Sequence, residues 1–165
     1  MLLGNTIARS ARVISERNWT ARQFRCTASR AIGKMNENRT RDSYSFGKSL
    51  RILVVEDHSE TLQALSRLLS HFGHEISGAD GAQSALNAIE SKKFDVVLCD
   101  IALPDGNGYD VIAEAKRKRS VKAVAISGFA ATEDIERGRR AGFDFYLGKP
   151  VDFHELRSVL GQLAA

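Results

Sequence analysis

From Leu50 onward the sequence predicts an α/β fold in which a five-stranded parallel sheet is sandwiched between helices. Short apolar runs, rich in β-branched and aromatic residues, alternate with segments whose apolar residues recur every three or four positions. Three of the runs are near-continuously apolar, as strands covered on both faces must be. Five strands and five helices in strict alternation are repeated βα units. Right-handed crossovers then make the sheet parallel and put any site at the carboxyl ends of its strands.

The elements follow in order. Ile52 to Val55 reads as the first strand. Leu62, Leu65, Leu69 and Phe72 share a helical face after a Ser59 cap. His74 to Ser77 is a weaker, edge strand, and Ala85, Leu86 and Ile89 form a helix after Asp80, whose spacing to Gln83 is that of a capping box. Phe94 to Cys99 is the third strand, followed by a helix carrying Val111, Ile112 and Ala115. Val121 to Ile126 is the fourth strand, and Ile135 belongs to the helix after it. Phe143 to Leu147 is the fifth, and Leu156, Val159, Leu160 and Leu163 line the last helix, with Asp152 and Glu155 spaced as a second capping box.

Residues 1 to 49 are different in kind. They carry ten Lys/Arg against three acids, a balance of +7, while residues 50 to 165 carry 14 against 17, a balance of −3. The basic character of the chain belongs to this segment, which has few apolar residues and no strand-like run. It is expected to be a mostly disordered extension, with a short amphipathic helix around Ile7 to Trp19 as its one structural signal. Its Arg-rich, acid-poor composition is like that of a transit peptide, and a start of translation near Met35 would also account for it. No apolar run approaches the roughly 18 to 20 residues of a membrane span. Cys26 and Cys99 stand far apart in unlike contexts, so no structural disulfide is expected and a reducing, cytoplasmic setting fits.

The strand ends bring a coherent set of groups to one edge. Glu56 and Asp57 follow the first strand, Asp100 the third, Ser127 the fourth, and Lys149, with Pro150 after it, the fifth. Each alone reads most simply as a turn or cap residue. Together they are three carboxylates, a hydroxyl and an ammonium, the parts that phosphoryl transfer needs. Mg²⁺ takes oxygen ligands, so it suits the carboxylates. A carboxylate can also attack phosphorus to give an acyl phosphate. The positive charges then stabilise the peripheral oxygens of a loose transition state.

With these motifs in order, residues 50 to 164 resemble the response-regulator receiver family, the flavodoxin-like phosphoacceptors of two-component signalling. ILVVEDH holds the acid pair, ISGFA the hydroxyl and YLGKP the lysine; DIALPDGNG holds Asp100, with Pro104 four and Gly108 eight residues later. The resemblance implies a (βα)5 three-layer sandwich with strand order 2-1-3-4-5. It implies that Asp100 accepts a phosphoryl group from a histidine kinase or histidine phosphotransfer protein. Glu56 and Asp57 would position Mg²⁺, with Asp100 and the backbone carbonyl of Ala102 completing the protein ligands. Ser127 and Lys149 would hold the phosphoryl oxygens, and Tyr146, three residues before the lysine, would turn inward as a switch. The fourth helix, fifth strand and fifth helix would meet the downstream protein, so the chain signals rather than acting as an ordinary enzyme. With nothing beyond Ala165, a stand-alone receiver is expected.

Departures from the family are small. Ser127 stands where Thr is more frequent and Gly128 where Ala is common; Ala102 and Phe129 occupy positions that tune phosphoryl lifetime. His58, His71, His74 and His154 have no metal-site spacing, and His58 reads as a loop residue. Gly106 and Gly108 lack the pattern of a nucleotide loop. Arg137, Arg139 and Arg140 form a basic patch that is either a solvated face or a partner surface. The competing functions are a constitutive adaptor or nucleic-acid binder using the Arg-rich arm, and a phosphoester hydrolase, for which no substrate-binding or cap segment is evident.

Overall fold

The computed structural model describes residues 48–128 and 132–164. The expected N-terminal extension, apart from Lys48 and Ser49, lies outside the described residues, as do Cys26 and Phe129. The elements in order are β1 (Arg51–Val55), α1 (Ser59–His71), β2 (Glu75–Ala79), α2 (Ala82–Ser91), β3 (Val96–Asp100), β4 (Ala102–Leu103), β5 (Gly106–Asn107), α3 (Gly108–Lys118), β6 (Lys122–Ser127), α4 (Thr132–Ala141), β7 (Phe145–Gly148) and α5 (Phe153–Ala164).

The sheet runs β2-β1-β3-β6-β7, and every pairing in it is parallel. Once the short hairpin β4–β5 is set aside, this is the expected order 2-1-3-4-5. Because side chains alternate across a strand, each strand feeds two cores. Leu53, Val55, Val97, Cys99, Ala123 and Ala125 pack with Ala85 and Ile89 of α2 and Ile112 and Ala115 of α3. Ile52, Val54, Val96, Leu98, Val124 and Ile126 pack on the other face with Leu65 and Leu69 of α1 and Leu156, Val159 and Leu160 of α5. β3 is buried along its whole length, whereas β2 is exposed over much of its own, as an edge strand is.

Several local expectations are corrected. The strands begin and end within two residues of the predicted positions, and Asp100 and Ser127 are the last residues of β3 and β6 rather than the first beyond them. Ser59 opens α1 but does not cap it: His58 is the N-cap residue, and no side chain bonds there. Asp80 does not cap α2 through the amide three residues on, because the N-cap residue is Gly81. Asp80 instead accepts from the Ser84 hydroxyl, and Ser84 Oγ in turn accepts from the Gly81 N–H. Asp152 does cap α5, its Oδ1 accepting from the amides of His154 and Glu155. The β4–β5 hairpin was not foreseen, since two-residue strands leave no periodic signal.

Candidate functional site

The carboxyl edge of the sheet gathers the groups that close its strands. Glu56 leaves β1 with its N–H donated to the carbonyl of Ala79 at the end of β2, and its side chain is 0% exposed. A charge buried so fully requires a partner. Lys149 supplies it: its Nζ lies 2.9 Å from Glu56 Oε2 and 2.6 Å from Asp100 Oδ2. The lysine is brought there by β7, where its N–H donates to the carbonyl of Ser127 at 2.8 Å, and the Lys149–Pro150 bond is cis. Burial alone would lower the Lys149 pKa, but the hydrogen bonds and charges of Asp100 and Glu56 outweigh it and hold the ammonium above its ordinary value.

Asp100 is buried, with its second oxygen, Oδ1, accepting from the Ala102 N–H at 3.1 Å. The turn that makes this possible needs Gly108. Its N–H donates to the Ile101 carbonyl at 2.9 Å, and a Cβ there would sit 2.3 Å from the Asp100 carbonyl oxygen. Gly108 in the DIALPDGNG motif thus permits close approach of two backbones, the conformational role that sequence alone left unassigned.

Running from the buried Glu56 out to the exposed His58, Glu56, Asp57 and His58 place ligand-capable atoms within 4.8 Å of one another. His58 Nδ1 is 3.0 Å from Asp57 Oδ1 and 3.4 Å from Glu56 Oε1, and the His58 N–H also points to Glu56 Oε1. His58, expected as a plain loop residue, is therefore drawn into the site by the two acids. Its hydrogen bond to Asp57 raises the imidazole pKa; for Asp57, burial pushes upward but the His58 hydrogen bond and charge prevail and lower it. These hard oxygen donors suit Mg²⁺.

Ser127 is buried at the end of β6, and Tyr146 is buried one strand over, in register with Ala125. The Tyr146 hydroxyl has no hydrogen-bond partner among the described residues. Burial raises its pKa well above the ordinary range, with the neighbouring Ser127 hydroxyl opposing. Its ring rests against Gly138 of α4, where a Cβ would come within 3.1 Å of the ring edge. Tyr109, which sequence reasoning passed over, ties α3 to α4: its hydroxyl donates to the Asp134 carbonyl at 3.4 Å, its ring meets Phe143 edge-on, and Arg137 lies 4.4 Å over its face. Of the basic patch, Arg137, Arg139 and Arg140 are all exposed.

A doubly wound sheet whose carboxyl edge joins acids at β1 and β3, a hydroxyl at β6 and a lysine at β7 defines a phosphoacceptor signalling module. The chain belongs to the response regulator receiver domain family, whose profile matches residues 52–161. It is a receiver domain of two-component signalling. It is 35% identical over 128 residues to the virulence sensor protein BvgS of Bordetella bronchiseptica, a match that spans 71% of this chain but 10% of that protein. It is 34% identical over 107 residues to the transcriptional regulatory protein PdtaR of Mycobacterium tuberculosis, over 64% of this chain and 52% of the other. A CheY-like receiver domain protein from Methanospirillum hungatei superposes with a TM-score of 0.68 at 30% identity, covering 71% of this chain and 94% of its own. Among the described residues no helix is long and apolar enough to cross a membrane.

Proposed function

We propose that Asp100 is the phosphoacceptor, that phosphorylation depends on Mg²⁺, and that the phosphorylated form signals by binding a protein partner. The observation that carries this reading is the Lys149 ammonium, held at 2.6 Å from Asp100 and 2.9 Å from Glu56 at the carboxyl edge of the sheet. A lysine so placed has its charge where the oxygens of an incoming phosphoryl group arrive.

The donor is a histidine kinase or histidine phosphotransfer protein. A carboxylate oxygen of Asp100 attacks phosphorus as the bond to the donor histidine nitrogen breaks, leaving an acyl phosphate on Asp100. Lys149 then exchanges its bond to Asp100 for one to a phosphoryl oxygen, and Ser127 donates its hydroxyl to another. Glu56 and Asp57, with Asp100 and the Ala102 carbonyl, would hold Mg²⁺, which when bound supplies further positive charge against the peripheral oxygens. Tyr146, packed between Ser127 and Gly138, follows the movement of Ser127 and passes it to α4, so that α4, β7 and α5 form the face read by the partner. In this reading residues 50 to 165 are the receiver, residues 1 to 49 are an appended basic extension, and the protein works in the cytoplasm.

The test is treatment with a small-molecule phosphodonor and Mg²⁺, read by intact-protein mass spectrometry. Wild-type protein is expected to gain one acid-labile phosphoryl group, and Asp100→Ala none. An equal gain in Asp100→Ala, or none in wild type, would sink the proposal.

A further inference from the structure

We propose that Asp105 is a positioning residue for the metal site, pinning the tip of the β4–β5 hairpin to the N-terminus of α2 and so fixing the carbonyl of Ala102. This rests on the reading that Ala102 offers that carbonyl to Mg²⁺.

Ala102 and Leu103 pair with Asn107 and Gly106, leaving Pro104 and Asp105 as the two residues of the turn. A hairpin with two residues in each strand cannot hold its own shape in water. Besides the bond from the Gly108 N–H to the Ile101 carbonyl that closes its base, it is fastened at three points. At its base, Ala102 N–H donates to Asp100 Oδ1 at 3.1 Å. At its exit, Asn107 caps α3, its Oδ1 accepting from the Asp110 amide at 2.9 Å while its Nδ2 donates to Asp110 Oδ2 at 2.7 Å. At its tip, Asp105 Oδ1 accepts from the Ala82 N–H at 2.7 Å and Oδ2 from the Gln83 N–H at 2.9 Å.

The tip contact is the unusual one. Those two amides are orphan donors of the first turn of α2, normally satisfied by a residue just before the helix. Here a carboxylate more than twenty residues downstream takes both. The fit is close enough to dictate two glycines: a Cβ on Gly81 would lie 2.6 Å from Asp105 Oδ1, and one on Gly106 would lie 2.9 Å from the Ala82 Cβ. The amides of Gln83 and Ala82 together hold the Asp105 carboxylate below its ordinary range, so it is charged when it meets the positive end of the helix.

Asp105 is three residues from Ala102 along a chain fastened at both ends, so freeing the tip lets the carbonyl wander while Asp57, Asp100 and Lys149 stay in place. Linkage makes the effect reciprocal: a metal that fixes Ala102 must tighten the clamp on α2 by the same free energy.

The experiment measures Mg²⁺ binding to the full-length protein by isothermal titration calorimetry, with amide hydrogen exchange at Ala82 and Gln83 with and without Mg²⁺. Wild type should show slower exchange at both amides when Mg²⁺ is bound. Asp105→Ala should bind Mg²⁺ about tenfold more weakly, the lower end of what losing an outer partner of a ligand costs, with no effect of Mg²⁺ on those amides. Asp105→Asn keeps one acceptor oxygen and the side-chain volume, so it should fold and fall between. Asp95→Asn, which breaks a bond to Arg51 at the opposite edge of the sheet, is the control for general loss of stability and should leave Mg²⁺ affinity unchanged. Wild-type affinity in Asp105→Ala or Asp105→Asn, or Mg²⁺-insensitive exchange at Ala82 and Gln83 in a wild type that binds the ion, overturns the role of Asp105 and leaves the metal site standing. A wild type that binds no Mg²⁺ overturns the site itself.

Discussion

Replacing Lys149 by Met keeps the aliphatic stem and removes the ammonium from between two buried carboxylates. Glu56 is 0% exposed and Asp100 5% exposed, and Lys149 touches both, so the variant leaves two neighbouring acids without their counter-charge. Removing one partner of a buried ion pair costs about 3 to 5 kcal/mol. The Lys149 side chain is 31% exposed, so water already screens part of the attraction, and the lower end, about 3 kcal/mol, is the appropriate figure. For a domain of this size that lowers the melting temperature by roughly 10 °C. Urea unfolding followed by far-UV circular dichroism, which reads the helices and strands directly, is the assay. Mg²⁺ should recover part of the loss, because a cation bound to the folded state alone stabilises it by mass action. Adding Glu56→Gln should also recover part, since the charge left stranded is then gone. An unfolding midpoint in Lys149→Met equal to wild type, without and with Mg²⁺, would refute the view that the ammonium holds these acids together.

Two further outcomes follow from the same geometry. Gly108→Ala drives a Cβ to 2.3 Å from the Asp100 carbonyl oxygen, backbone that cannot move without displacing the site; a loss of at least about 3 kcal/mol is expected in urea unfolding. Asp95 is held at a pKa of about 2, first by the side-chain hydrogen bond from Arg51 and then, against burial, by the Arg51 amide. A carboxylate lowered on folding stabilises the protein above its unfolded pKa, and that stabilisation is lost as pH falls from about 4 toward 2. Asp95→Asn should remove this acid limb, on the order of 1 kcal/mol after screening, in melting temperatures recorded across that range.

The fold was legible because its buried strands are so uniformly apolar. Val96 to Cys99 and Ala123 to Ile126 can only be strands covered on both faces, and the helices between them dictate a parallel sheet. The positions of Glu56, Asp100, Ser127 and Lys149 at one edge follow from that topology alone. What sequence could not reach were contacts decided by tertiary approach. Asp80 has the local spacing of a cap and is not one, because Asp105 occupies the α2 amides from a loop that sequence places far away. His58 has no metal-site spacing, yet an acid on each of the two preceding residues draws its ring toward them. Tyr109 looks like any helical aromatic, and only the packing of α3 on α4 shows it holding Asp134 and Arg137.

Tyr146 is where the stability of the fold and the proposed use of the site pull apart. Among the described residues the buried Tyr146 hydroxyl makes no hydrogen bond of good geometry, although the hydroxyls of Ser127 and Tyr109 stand close to it, and a buried hydroxyl left so costs about 1 to 3 kcal/mol. Phenylalanine would fill almost the same space against Gly138 at no such cost, so Tyr146→Phe is expected to be more stable than wild type by about 1 kcal/mol in urea unfolding. The polar neighbours at hand are the hydroxyls of Ser127 and Tyr109. If the hydroxyl finds its partner only when Ser127 has moved toward a phosphoryl group, Tyr146→Phe should gain stability in the unmodified protein and lose that advantage after phosphodonor treatment. A variant less stable than wild type before any treatment would mean that the hydroxyl is already bonded, and that Tyr146 stores no free energy for the change of state.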